Sequence, residues 1–241
     1  MRPLTAPDQV ETWIQAGLSA ARLAQAAGPR VVADEEQLPF RAESLDLVVS
    51  LLSLHWTNDL VGALVQIRRA LKPDGLFIGA LFGGATLTEL RQSLLIAESE
   101  MGENRKGGGV GARVSPFADG FDGAGLLQRA GFTLPVADVD RVTVRYDNPI
   151  KLMADLRAMG ETSVLIDRPP TPLTRAALLR TAEVYAERFA LADGRIPATF
   201  EIITLTGWAA HESQQTPLKP GSAKARLADA LKVIEHKLER E

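Results

Sequence analysis

The 241-residue sequence contains no cysteine. That absence excludes disulfides, thiolate metal sites, a cysteine nucleophile and cysteine-held iron–sulfur clusters. Long apolar runs are missing as well. No stretch approaches the ~18 uninterrupted apolar residues of a membrane span, and Met1-Arg2-Pro3-Leu4 opens no apolar segment of signal-peptide length. The expectation is a chain without a membrane span, resident in the cytoplasm; the family resemblance set out below implies the mitochondrial matrix instead if the source is eukaryotic. Charge of one sign is not in excess either: 27 basic and 30 acidic residues leave a formal net charge of −3. Nucleic acid, which selects a clustered basic face, is therefore not an expected partner, whereas a small molecule or a protein is. Glycine is scarce at the start, with only Gly17 and Gly28 before residue 40.

What is present reads as α/β. With 46% hydrophobic and 24% charged residues the chain buries one sizeable core. Trp13 to Ala16 is a short apolar entry. Ser19 is placed to cap a helix over Ala20 to Ala27, stopped by Gly28-Pro29. Val31-Val32-Ala33 and Leu45 to Leu52 read as strands, and continuous apolar runs of this kind suit parallel strands covered on both faces. Thr57 or Asn58 caps a helix carrying Leu60, Leu64, Ile67 and Leu71, and Lys72-Pro73-Asp74-Gly75 turns the chain into a strand at Leu76 to Leu81. Thr86 and Glu89 have capping-box spacing for a helix through about Glu98.

Five glycines between Gly102 and Gly111 surround polar residues, which predicts a flexible loop suited to a lid. Gly107 to Ala112 superficially fits a dinucleotide-binding pattern, but neither a strand before it nor a helix directly after it supports that reading. Further elements are predicted over Asp119–Ala130 (helix), Val136–Tyr146 (strand), Pro149–Met159 and Thr174–Ala190 (helices) and Phe200–Trp208 (strand). The late strands are free to pair antiparallel, and Leu227, Leu231, Ile234 and Leu238 mark a terminal amphipathic helix.

Ligands of open α/β sheets sit at the carboxyl ends of strands, which directs attention to the loops after Ala33, Ser50 and Leu81. Asp34 and Glu35 can accept hydrogen bonds from an amine, or form a solvated strand end. Ser50 to Trp56 offers a hydroxyl, an imidazole and an indole together; His55 and Trp56 line a cavity or merely fill a gap under the next helix. Arg157 and Glu161 are four apart, so either an ordinary pair on one helical face or a substrate contact fits them. His211 beside Trp208 belongs to a structural turn or to a site.

The segments Ala33-Asp34-Glu35-Glu36-Gln37-Leu38-Pro39-Phe40, Asp46-Leu47-Val48-Val49-Ser50, Leu54-His55-Trp56 and Leu71-Lys72-Pro73-Asp74-Gly75 resemble the later half of a class I S-adenosylmethionine (SAM)-dependent methyltransferase domain. The malonyl-carrier-protein methyltransferases of biotin synthesis share them. Gly79 to Leu90, Leu156 to Glu161, Gly207 to Gln215 and Gly221-Ser222-Ala223 narrow the resemblance. They are similar to the family of methyltransferase-fold complex I assembly factors described as arginine hydroxylases, with their bacterial relatives. The likeness runs from about Trp13 to Ala223.

The resemblance implies a Rossmann-like class I methyltransferase sheet with helices on both faces and a helical insertion before the last strand. It divides the chain into a methyltransferase core at 13–98, the glycine-rich loop at 99–116, the remainder of the same domain at 117–210 and a C-terminal tail at 211–241. It implies that Asp34, with Glu35 beside it, holds the adenine amine of SAM. The backbone of Ser50, Leu51 and Leu52 would approach the methionyl end, and His55, Trp56, Arg157, Glu161 and His211 would line the substrate side. The implied partner is a protein, a complex I subunit.

The family normally opens on a strand ending in a glycine-rich turn. Here that turn is not found and Gly17 stands where relatives carry an acid, so the first strand is expected to be absent and SAM to bind weakly or not at all. Without cysteines any SAM chemistry is expected to be polar, and the three histidines do not form the His-x-acid pattern of an iron hydroxylase. Two other readings stay open: a malonyl-carrier O-methyltransferase, and a non-catalytic assembly or binding protein with a degenerate SAM site.

Overall fold

Leu45–Leu51 and Leu71–Phe82 form the strands β3 and β4, a parallel pair joined through the helix α2, Leu60–Ala70. The computed structural model describes residues 10–102, 113–114, 122–165 and 172–215, so the lid expected at Gly107–Ala112 and the helix expected over Leu227–Leu238 lie outside the described residues. The chain divides into two units, Met1–Ala210 and His211–Glu241. In the larger unit β4 also pairs antiparallel with β6, Ile196–Trp208, and β6 pairs antiparallel with β5, Thr133–Tyr146. The four-stranded sheet has the order β3-β4-β6-β5.

Alternation along the strands sends apolar side chains to two cores. On one face Phe77 and Leu81 of β4 and Ile203 and Leu205 of β6 pack with Leu64 and Ile67 of α2 and Leu127 of α4, Gly123–Arg129. On the other, Phe82, Ile196, Ala198 and Phe200 meet Leu90 and Leu94 of α3, Thr88–Gly102, Leu152 and Leu156 of α5, Pro149–Met159, and Tyr185 of α6, Arg175–Phe189. Tyr185 is fully buried, which pushes its phenol upward in pKa, and its hydroxyl donates to the Pro197 carbonyl at 2.7 Å.

A separate two-stranded parallel sheet is made by β1, Gln15–Gly17, and β2, Arg30–Val32, joined by the short helix α1, Ala20–Leu23. The apolar entry at Trp13–Ala16 is thus partly a strand. Ser19 caps α1 as expected, accepting from the Arg22 N–H at 3.3 Å, but the helix stops four residues short of Ala27. Arg30 ends it by donating to the carbonyls of Leu23 and Ala24 at 3.1 and 2.8 Å.

Several expectations are corrected. β3 is not covered on both faces, with Leu47 and Leu51 39% and 51% exposed, and among the described residues it is an edge strand bonded only to β4. Asp59, rather than Thr57 or Asn58, caps α2, accepting from Gly62 at 2.8 Å, while the Thr57 hydroxyl donates to Leu54 O at 2.7 Å. The Lys72–Gly75 turn is an excursion inside β4: Leu45 faces Leu71 while Leu47 already faces Leu76. Asp74, at φ 64°, donates to Ala209 O at 3.1 Å. Of the helix at Asp119–Ala130, the described part is α4.

The capping box at Thr86 and Glu89 does not form. The Thr86 hydroxyl accepts from Glu201 N and donates to Glu201 O, both at 3.0 Å. Glu89 reaches β6 instead, accepting from the Thr199 N–H at 3.2 Å and from its hydroxyl.

Glu89→Ala therefore strands a half-buried donor on β6, and a loss of about 1–3 kcal/mol in urea unfolding is expected. Adding Thr199→Val should cost little more, because the two side chains act as one unit. Additive losses would restore the capping box.

Candidate functional site

The carboxyl ends of β2 and β3 are tied together by side chains that the sequence does not advertise. After β2 the chain folds back on itself, with an isolated bridge between Asp34 and Gln37. Asp34 is exposed, and its Oδ1 accepts from the Glu36 N–H at 2.9 Å. Glu35 beside it is half-buried. The Glu36 carboxylate accepts from the backbone N–H groups of Asn58 and Asp59, which hold it below the usual carboxylate pKa. Gln66 of α2 locks the same turn: its amide donates to Glu36 O at 2.6 Å and its carbonyl accepts from Leu38 N at 3.0 Å. Asp34 is thereby fixed relative to the end of β3.

At that end Leu52 has φ 51°, a left-handed conformation costly for a branched side chain, and is held there by donating to Ala80 O at 2.7 Å. Leu51 and Leu52 present apolar surface, 51% and 38% exposed. The hydroxyls of Ser50 and Ser53 lie 3.2 Å apart. A 3-10 turn, Leu54–Trp56, follows, with Leu54 sunk into the core at 1% exposure.

That anchor seats His55 with its side chain 1% exposed, its ring 5.0 Å from Trp56 and 4.9 Å from Phe82. Phe82, at the end of β4, was not among the residues singled out from sequence; its place in the Gly79–Leu90 segment was the available signal. The imidazole Nε2 lies 3.3 Å from Glu161 Oε2, across 106 residues of sequence.

Glu161 gets there because α5 ends before it. Gly160 takes φ 89°, and the Glu161 N–H donates to Leu156 O at 2.9 Å, a glycine-closed helix terminus. Glu161 consequently leaves the helical face of Arg157, and the i,i+4 pair expected from their spacing is not formed: Glu161 pairs with His55. Arg157 stays on α5, exposed. His211 lies in the smaller unit, where its Nδ1 meets the Ser213 hydroxyl at 2.7 Å. Among the described residues no three His, Asp or Glu side chains gather as a metal site, and no helix is long and apolar enough to cross a membrane.

Comparison with known proteins gives this arrangement its context. A family model for a methyltransferase domain, Methyltransf_11, matches residues 4–79. The chain is 46% identical over 203 residues to the mitochondrial arginine-hydroxylase NDUFAF5 of Danio rerio, covering 84% of this chain and 61% of that protein. With the Homo sapiens NDUFAF5 it shares 47% identity, covering 84% and 57%. A malonyl-[acyl-carrier protein] O-methyltransferase of Halorhodospira halophila is 37% identical, covering 75% and 58%. The chain thus spans about three fifths of the length of these relatives. Among solved structures, YcgJ of Bacillus subtilis superposes with a TM-score of 0.52 at 13% identity, covering 82% of each chain, a likeness of fold alone.

Gly160 is the hinge of the arrangement, since a side chain there adopts φ 89° with difficulty and its Cβ would come 2.8 Å from the Arg22 guanidinium. Gly160→Ala is expected to cost about 1–2 kcal/mol in urea unfolding. Gly160→Asn, which tolerates the left-handed region, should cost less. Equal losses would show that the turn is not held left-handed in solution.

Proposed function

We propose that this chain, a homologue of the arginine-hydroxylase NDUFAF5 proteins carrying a methyltransferase domain on the class I fold, is a SAM-dependent, methyltransferase-like protein acting on a protein partner. The observation that carries the proposal is the meeting of Glu161 with His55 at the carboxyl end of the sheet, where open α/β folds bind ligands. Two segments far apart in sequence supply one polar pair beside the strained, exposed Leu52.

The residues fit one end of SAM. Asp34 keeps Oδ2 without a partner among the described residues and can accept from an exocyclic amine. Leu51 and Leu52 offer apolar cover for a purine, and a Cβ on Gly17 would meet nothing within 4 Å, so there is room beside β1. When bound, SAM supplies an electrophilic methyl group on a sulfonium. This chain contributes positioning, which is most of what an in-line transfer needs. The partner side would fall to Trp56 and Glu161, with His55, its side chain only 1% exposed, in contact with both. The likeness of the Gly79–Leu90 and Gly207–Gln215 segments supports a partner among respiratory complex I proteins.

A second reading, methylation of a malonyl carrier, draws on the Halorhodospira relative and on Arg22 and Arg157, two exposed cations near the end of α5.

Calorimetric titration of SAM into the 241-residue chain, with Asp34→Ala beside it, tests the cofactor half. Weak, saturable heat that disappears in the variant is the expected result. A folded wild-type chain that gives no heat would sink the SAM assignment and leave an assembly or binding protein.

A further inference from the structure

β5 is an edge strand: along its length, Thr133–Tyr146, it is bonded to β6, and among the described residues no strand meets its other side. Such an edge offers a row of free N–H and C=O groups to any strand that fits, and folds usually blunt it with a bulge, a proline or a covering element. Here the one irregularity lies between Thr133 and Val136, with Pro135 inside it, so the strand runs in unbroken register from Val136 to Tyr146. Asp138 to Arg145 are all exposed, yet the stretch is rich in β-branched residues, Val139, Val142, Thr143 and Val144.

The valines mark where a neighbour is missing. Val142 and Val144 pair with Phe200 and Ala198 of β6, which are buried in the second core at 9% and 0% exposure. Residues directly across an antiparallel pair project to the same face, so Val142 and Val144 continue that core toward the edge. They are nonetheless 48% and 37% exposed. A core layer that ends in open valines is unfinished, and one more strand would close it.

We infer that β5 is the interface at which two copies of this chain pair, antiparallel and edge to edge, so that the sheet continues from one protomer into its partner. The charges on the strand choose both the occupant and the register. In a two-fold pairing opposed residues share a face, and because faces alternate along a strand, the axis passes between a residue and its own copy. An axis at Val139 sets Asp138 against Asp140. At Asp140 two carboxylates meet, at Arg141 two guanidiniums, and at Thr143 Arg141 faces Arg145. Like charges directly opposed are destabilising.

With the axis at Val142 no like charges face each other. Val142 meets its copy, Asp140 faces Val144, Arg141 faces Thr143, Val139 lies under the stem of Arg145, and Asp138 faces Tyr146. Arginines approach one another only on the diagonal, and each is already paired within its own chain, Arg141 with Glu201 at 2.7 Å and Arg145 with Asp193 at 3.8 Å. A strand of another protein has no reason to match this pattern, whereas a second copy matches it by symmetry. The inference stands whether or not SAM is bound.

The sequence has no cysteine, so single ones report the register. Sedimentation velocity on the intact 241-residue chain should show a dimer that dissociates on dilution. Val142→Cys places both thiols at the axis, where opposed Cβ atoms are about 4.5–5.5 Å apart, and oxidised glutathione should link the copies through a disulfide. Asp140→Cys is the control: about four residues along the strand separate it from its copy, on the order of 13 Å, too far for a disulfide. Val142→Asp, checked for folding by circular dichroism, brings two carboxylates onto the axis and should raise the dissociation constant about tenfold or more. Should that variant not fold, the two cysteine variants still decide. Equal cross-linking through Asp140→Cys and Val142→Cys, or a dimer indifferent to folded Val142→Asp, would overturn the inference. So would a chain that stays monomeric at its highest soluble concentration, which would leave the edge to a strand of another protein.

Discussion

The constraint on which the larger unit depends is the double pairing of β4. Its residues Leu76–Ala80 face Leu47–Leu51 of β3 on one side and Trp208–Thr204 of β6 on the other. Because β4 is committed on both edges, its side chains have only the two faces of the sheet to go to, and both are filled. Phe77 and Leu81 enter one core and Phe82 the other. The same strand decides where β3 stops, since Ala80 O accepts from Leu52 N at 2.7 Å and draws that residue into the left-handed region. The Leu54–Trp56 turn then has little choice of position: Leu54 plugs the first core and His55 meets the ring of Phe82 at 4.9 Å.

The Gly79–Leu90 segment, so distinctive as a sequence, owes its composition to the contact with β6. Gly83 has no room for a side chain, because a Cβ would come 2.4 Å from Glu201 Oε1. Glu201, its side chain 6% exposed, accepts from Ala85 N at 3.3 Å and from Arg141 Nε at 2.7 Å. Thr86 and Glu89 complete the clamp on the strand. Buried polar groups are tolerated only when satisfied, so each of these side chains fixes its neighbours closely. The result is a rigid entry to α3, on the face of the sheet that also carries α5 and hence Gly160 and Glu161.

What was legible in the sequence was local. α5 and α6 are legible because their boundary signals are chemical and close at hand: Asn148 with Pro149 starts α5 and Gly160 ends it, and Thr174 starts α6. β1 was not read as a strand, since three residues carry no usable periodicity and its partner β2 lies across α1. Thr86 and Glu89 matched a local motif and chose distant partners on β6, a case of tertiary contacts overriding spacing. For the candidate site, His55 and Glu161 were both named from residue type and likeness, but their meeting was not. The Arg157–Glu161 spacing fits one helical face, although Gly160 between them is the residue that ends α5. Glu36 and Gln66, which fix the acid turn, gave no signal, because a surface Glu and Gln look the same whether or not they bridge two elements.

The His55–Glu161 contact is better explained by positioning than by stability. At 3.3 Å it is longer than the roughly 2.7–2.9 Å of a strong charge-assisted bond, so its direct contribution is small. Burying an imidazole to 1% exposure and sheltering a carboxylate both carry desolvation costs that an apolar pair of similar volume would avoid. The surroundings were equipped to do without it: Phe82 and Phe200 already stack at 6.0 Å, and Leu54 already closes the core beneath. Yet the chain spends a left-handed glycine at the end of α5 to turn this carboxylate toward that ring. A polar pair kept where packing alone would suffice is a constraint that the stability of the fold does not itself require.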